Sequence, residues 1–322
     1  MSSSNYHITY IGLGVVGVGY LQAFEKRGFK VSGIEANKKL IEKLCAEKDG
    51  RNIYHIDDDM NDIKNVDFVM ISINTPLKGK KLDLTYLFSS IRNVAVIVKN
   101  NPEAFVVIRS TVPPGTTRKY KEELEQVSGQ KVNVLFQPEF LRDKTNIQDA
   151  LNPWHVVIGR DDDVDVSKFR KFYHNYIDDE SITEMSVEEA EYLKIIHNSF
   201  NAAKISFFNQ CKLLVDAINE RNGLDMDINV ISKCITKTCE GLMNPRYGTK
   251  AGHAYGGSCL VKDSAEFASL EADYGLEAKM FKAVVDVNEI YRKTDEKEII
   301  HGDHHMNFDV LKKIASFDNL NA

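Results

Sequence analysis

The stretch Gly12-Leu13-Gly14-Val15-Val16-Gly17 decides the fold. It follows the apolar run His7-Ile8-Thr9-Tyr10-Ile11 and opens an apolar-periodic segment that continues to about Lys26. A G-x-G-x-x-G pattern alone is weak evidence; between a strand and a helix it reads as the phosphate-binding turn of a doubly wound sheet. Gly12 permits the tight turn, and Gly14 lets a pyrophosphate reach the backbone. Gly17 lets the helix lie close on the sheet, and Val15 and Val16 complete the cofactor-binding turn. The first N–H groups of the helix favour phosphate charge. Gly28 is placed to end that helix, and Lys30 to Ile34 reads as the next strand, with Glu35 at its tip. A carboxylate there accepts hydrogen bonds from ribose hydroxyls and repels a 2′-phosphate, which favours NAD over NADP.

Strands and helices continue to alternate. Strands are expected over residues 66–72, 104–109 and 132–136, with a helix over about 84–98. Each strand runs into a polar loop: Asn74-Thr75-Pro76, then Ser110 to Thr117 including Thr111, then Gln137-Pro138-Glu139-Phe140-Leu141-Arg142-Asp143. In an open parallel sheet that edge is where ligands bind, although any one of these loops alone reads as a turn.

The second half is helical. Ser186-Val187-Glu188-Glu189 has the form of a capping box. A long helical pattern follows to about Asn222, with Gly223 as its stop. Lys194 and Asn198 are one turn apart on it and share a face, which by itself reads as a solvated surface. Shorter helices are expected over about 226–237 and 276–293. Arg246 lies in the connection to Tyr255-Gly256-Gly257-Ser258-Cys259-Leu260-Val261-Lys262-Asp263. If a helix starts near Val261, an ammonium and helix N–H groups stand close to the Cys259 sulfur, and both favour a thiolate. The same run also fits a glycine-rich turn holding an inert cysteine.

Composition narrows the classes. The 322 residues allow two domains. A net charge of −6 with interspersed signs argues against a nucleic-acid surface. No run approaches ~18 apolar residues, so no membrane span is expected. Five cysteines without a C-x-x-C pair disfavour a zinc site and a disulfide framework, so no metal and a cytoplasmic location are expected.

Six ordered blocks, residues 12–17, 74–76, 110–117, 138–142, 194–209 and 255–263, give the chain its resemblance to the nucleotide-sugar 6-dehydrogenases, the UDP-glucose and GDP-mannose dehydrogenase family. The resemblance implies a Rossmann-type doubly wound parallel sheet over residues 1–185. An all-helical central domain with one long helix, serving catalysis and dimerisation, would cover 186–295. It also implies NAD-dependent oxidation of a sugar C6 alcohol to a carboxylate, with UDP-glucose the favoured substrate and a homodimer through the long helix. Cys259 would carry a thiohemiacetal and then a thioester, and Lys194 and Asn198 would donate to the developing oxyanion. Asp263 would orient water or act as base, a role left open between it and Lys194. Thr111 and Glu139 would position water and sugar, and Thr75, Pro76, Thr111 and Lys262 would lie near NAD. Phe140, Leu141, Arg142, Asp143, Arg246, Tyr255 and Gly256 would join Glu139, Lys194 and Asn198 around the substrate.

This chain has Asp143 where the family pattern has Glu, and Val261 where it has Pro. Gln137 stands where the family usually has Asn or Ser. The family also carries a third, nucleotide-binding domain of about 100 residues or more. Only residues 294–322 follow the last expected helix here, read as a partly disordered tail with a short helix over 308–316 and histidines at 301, 304 and 305. A chain so built could instead be an impaired NAD-binding or assembly protein that keeps the family fold.

Overall fold

The computed structural model describes residues 6–294, except 49, 175, 250, 257 and 278, and except the side chains of 143, 258, 293 and 294. The expected tail and its histidines lie outside the described residues.

The described residues form ten strands: β1 His7–Ile11, β2 Lys30–Glu35, β3 Asn52–His55, β4 Phe68–Ile71, β5 Leu77–Lys78, β6 Lys81–Leu82, β7 Phe105–Ile108, β8 Asn133–Phe136, β9 Val156–Arg160 and β10 Ile182–Ser186. Eight form one sheet in the order β10-β9-β8-β7-β4-β1-β2-β3, while β5 and β6 make a small antiparallel hairpin. All pairings in the large sheet are parallel except β8 with β9. The chain direction across the sheet reverses between β1 and β4, the switch point at which an open sheet leaves a crevice.

The central strands are buried on both faces, so they read as continuous apolar runs rather than alternating ones. Val69, Ile71, Val106 and Ile108 pack into one layer. Phe68, Met70, Phe105 and Val107 pack into the other. Three strands of the sheet escaped the sequence reading. β3 and β10 are outer strands whose residues are mostly half exposed, so they carry no apolar run. β9 is buried but is interrupted by Gly159, where a Cβ would come within 2.7 Å of the Ala190 Cβ. The helix expected over 84–98 is broken at Ser90, between Thr85–Ser89 and Ile91–Asn100. Ser90 Oγ donates to the Leu87 carbonyl and bonds the Tyr120 hydroxyl at 2.9 Å, competing with the helical ladder.

The long helix runs from Val187 to Asn222, 36 residues. Its capping box is made in both directions: Ser186 N donates to Glu189 Oε2 at 2.9 Å, and Glu189 N donates to Ser186 Oγ at 3.3 Å. Gly223, at φ +64°, ends it. The chain divides into two compact units between Ser199 and Phe200, inside this helix. The second unit comprises the distal part of the helix and the helices Ile228–Thr238, Glu240–Met243, Ser258–Asp273 and Lys279–Thr294. Phe281 stacks on Phe267 with 4.0 Å between ring centres and touches Phe207 at 5.7 Å. The last helix starts at Lys279 rather than Leu276, since Gly275, at φ +75°, ends the one before it.

Candidate active site

A cavity of about 680 Å³ lies over the carboxyl ends of the central strands in the first unit. Gly12, Gly14, Val15, Val16, Glu35, Thr75, Thr111 and Glu139 all line it, so residues scattered over more than a hundred positions meet at one edge. Gly12, at φ +84°, makes the turn that L side chains resist. A Cβ on Gly17 would stand 1.9 Å from the Gly12 carbonyl oxygen, so its role is helix-to-turn packing and not lining. Around Gly14 nothing lies within 4 Å of where a Cβ would be, which leaves the backbone open to a ligand. The helix Val15–Lys26 has no side-chain cap from Gly14, so no side chain of its own N-cap claims its first N–H groups, beside which Gly14, Val15 and Val16 line the cavity.

Glu35 does more than the sequence implied. Its Oε2 accepts from Leu13 N at 2.7 Å, and its Oε1 accepts from Ala36 N and Asn37 N, both at 2.9 Å. The carboxylate thus pins the glycine turn and still keeps acceptor capacity for a ribose hydroxyl, having about four lone-pair sites in all. An open glycine backbone, uncapped helix N–H groups and an acid at the tip of β2 fit an NAD dinucleotide. Pro76 is exposed outside the cavity, its carbonyl accepting from Asp83 N at 2.7 Å.

Glu139, on the cavity wall, belongs to a largely buried ion pair. Lys194 Nζ donates to Glu139 Oε1 at 2.9 Å and also to the Glu139 carbonyl, with side-chain exposures of 6% and 12%. Glu139 Oε2 accepts from Leu141 N at 2.8 Å, which folds the loop after β8 back on itself. Phe140 lies against His197 at 4.8 Å and below the Lys194 ammonium at 5.7 Å. Burial, with help from Lys194, holds His197 below its ordinary pKa. Leu141 is half buried against the second core layer. Arg142 is tied to Asp149, at 2.6 and 3.1 Å, and chiefly through that contact the Asp149 pKa falls to about 2. Asn198 is exposed one turn beyond Lys194.

The loop bearing Thr111 is closed by several bonds. Thr75 Oγ1 donates to the Thr111 carbonyl at 2.7 Å, and Ser110 Oγ donates to the Ile73 carbonyl at 2.7 Å. Beneath it lies Arg109, 2% exposed, with Nη1 donating to Gln137 Oε1 at 2.8 Å and its guanidinium over the Tyr20 ring at 3.7 Å. Gln137 therefore serves as a buried junction, also accepting from the Tyr173 hydroxyl at 2.9 Å.

The second unit carries the thiol run, and one expectation is corrected there. The helix begins at Ser258, not near Val261, so Cys259 sits within its first turn, where it is exposed. Lys262 and Asp263 are both exposed and pair with each other. That pairing raises the Lys262 pKa, so its ammonium is engaged by the neighbouring carboxylate. Tyr255 is fixed by Asn288, whose Oδ1 accepts from Tyr255 N at 2.8 Å while its Nδ2 donates to the Tyr255 carbonyl at 3.1 Å. Gly256 is half buried beside it. Arg246 is exposed, with its N–H on Asn244 Oδ1 at 2.9 Å in an Asx turn.

Two residues beyond the expected set stand out. Asn288, 5% exposed on the last helix, and Glu191, fully buried on the long one, are polar groups at core positions. Their signal in the sequence is only that polarity within an apolar period. Among the described residues no cluster of three or more His, Cys, Asp or Glu side chains is placed to hold a metal ion. No helix among them is long and apolar enough to cross a membrane.

Residues 6–177 match the model of the UDP-glucose/GDP-mannose dehydrogenase family NAD-binding domain, and residues 188–290 match that family's central domain. A UDP-glucose 6-dehydrogenase of Rickettsia typhi is 29% identical over 316 residues, covering 88% of this chain and 67% of that protein. An uncharacterized protein of Methanocaldococcus jannaschii is 29% identical over 305 residues, covering 88% of this chain and 32% of that protein. The crystal structure of a GDP-mannose dehydrogenase from Pseudomonas aeruginosa superposes with a TM-score of 0.79 at 25% identity, covering 96% of this chain and 78% of that one. An imine reductase of Myxococcus stipitatus, 14% identical with a TM-score of 0.63, shares the fold.

Proposed function

Since the chain belongs to the UDP-glucose/GDP-mannose dehydrogenase family, whose NAD-binding and central domains it carries, we propose that it oxidises the C6 alcohol of a nucleotide sugar to the carboxylate, with UDP-glucose as substrate. The observation that supports this most is the largely buried Lys194–Glu139 pair, whose Glu139 lies on the wall of the dinucleotide cavity. Burying an ion pair is costly and adds little stability, which argues that it serves chemistry.

Bound NAD+ supplies the hydride acceptor for two successive oxidations. The chain's residues do the rest. The Cys259 sulfur forms a C–S bond to the C6 aldehyde, giving a thiohemiacetal whose oxygen carries the developing charge. Lys194 and Asn198 donate to that oxygen, the kind of fixed donor that supplies a large share of catalytic rate. Oxidation of the thiohemiacetal gives a thioester. Water then adds to its carbonyl, the C–S bond breaks and the thiol is restored. Asp263 takes the water proton, or Lys194 does in the neutral amine form that it reaches by first giving up a proton. Thr111 and Glu139 position water and sugar, and Arg142, Arg246, Tyr255 and the loop at 140–143 hold the substrate. In sum one alcohol, two NAD+ and one water give one carboxylate, two NADH and three protons.

Incubation with NAD+ and millimolar UDP-glucose, GDP-mannose or UDP-N-acetylmannosamine is expected to form NADH, with UDP-glucose fastest. No NADH from any of them sinks the proposal, and NAD binding without turnover would favour a cofactor-binding or assembly role.

The protein acts as a homodimer through the long helix in this reading. Tyr192, Ile196 and Phe200 recur every four residues and are 53%, 50% and 64% exposed, with Ile205 and Leu213 exposed further along. Such a stripe is costly in water and suits a second copy. Sedimentation at equilibrium is expected to give twice the chain mass of 36.5 kDa, and a single-chain mass at micromolar concentration contradicts the dimer.

A further inference from the structure

We propose that Glu191 is a positioning residue that fixes the turn bearing Thr111 against the Lys194–Glu139 pair. Its claim on the reaction rests on the dehydrogenase reading above. The helix Thr116–Ser128 begins with Gly115 at φ +87° and has no side-chain cap of its own. Glu191 supplies that cap from another element: Oε2 accepts from Gly115 N at 2.6 Å and Oε1 from Thr117 N at 2.7 Å. One carboxylate thereby satisfies two N–H groups that would otherwise be orphaned, and its negative charge faces the positive end of the helix dipole.

The placement is set by the backbone. Gly159 lets Ala190 approach β9 to a distance no Cβ would allow, which fixes the register of the long helix on the sheet. Glu191 then reaches the loop after β7, and Lys194, one turn on, reaches the loop after β8. One helical turn therefore holds both Thr111's loop and Glu139, and the Thr75 bond to the Thr111 carbonyl extends the hold to the loop after β4. Burial pushes the Glu191 carboxyl above its ordinary pKa, against the pull of the two N–H groups. A fully buried carboxylate that makes no ion pair among the described residues, its neighbour Arg118 being engaged by Glu188 and Asp161, is an expensive way to cap a helix, which argues for placement of the loop rather than stability alone.

Glu191→Gln keeps the volume but turns an NH2 toward one of the two donors. Glu188→Gln is the control. Glu188 lies on the same helix turn and pairs with Arg118 of the capped helix, yet touches none of the N-terminal N–H groups. For Glu191→Gln, kcat is expected to fall about 10- to 100-fold, the range for slight misplacement of reacting groups, with KM for sugar nucleotide and the NAD affinity within about twofold. Amide exchange at Gly115 and Thr117 rises about tenfold or more, while exchange over residues 12–17 stays unchanged. Glu188→Gln leaves kcat and exchange at the parental values. If the glutamine variant does not fold, Glu191→Asp keeps the charge, reaches one methylene less and is read the same way. Parental kcat and exchange in the Glu191 variants, or equal losses in the Glu188 control, overturn the proposal. The exchange arm needs no turnover, so a parent that makes no NADH refutes the dehydrogenase reading while the clamp itself is still judged.

Discussion

Cys259→Ser is expected to cut carboxylate formation by on the order of 10³-fold or more, leaving sugar aldehyde and at most one NADH per sugar. The thiol lies exposed in the first turn of the helix Ser258–Asp273, where serine is equally at home. Removing the sulfur therefore costs little stability, within about 0.5 kcal/mol for an exposed site, and the defect is chemical. Trapping released aldehyde with a hydrazine, alongside NADH absorbance and thermal unfolding, measures all three quantities. Carboxylate formed at the parental rate would remove Cys259 from the reaction.

Lys194→Met carries the second large effect, and there fold and chemistry are entangled. The substitution leaves Glu139, 12% exposed, without its ammonium at 2.9 Å while Leu141 N still holds the other oxygen. Breaking a buried pair from one side costs about 3 kcal/mol or more, because an uncompensated charge remains. Denaturant unfolding should show that loss. Removal of an oxyanion donor lowers kcat by about 10²- to 10³-fold. NAD affinity is expected to persist, since the glycine turn and Glu35 are untouched. A full loss of stability with parental kcat would reduce the pair to a structural contact. The reverse, lost turnover with unchanged stability, would show that Glu139 is relieved by another cation, for which the buried Arg109 nearby is the candidate.

The glycine turn and the acid at the next strand tip were legible because each has a local signature. A strand, a glycine turn and an acid at the next strand tip can be read along the chain, and the structure brings Gly12, Gly14 and Glu35 to one cavity. What could not be read were pairings made across the sequence. Lys194 on Glu139 spans 55 positions, and Glu191 on Thr117 spans 74, so neither leaves a spacing to find. Lys194 looked like part of a solvated face for that reason. The start of the thiol helix was misplaced by three residues, since nothing before Ser258 resembles a strong cap and two glycines precede it. β3 and β10 were hidden by lying at or near the sheet's exposed margins, where burial imposes no apolar pattern.

The central claim is that one chain performs two linked oxidations through a covalent sulfur adduct. The stoichiometry of NADH formed per UDP-glucose consumed, measured to completion with the parental protein and excess NAD+, tests it most directly. The account predicts two NADH and one glucuronate per sugar with no aldehyde released. One NADH per sugar with aldehyde accumulating, or none at all, would contradict it.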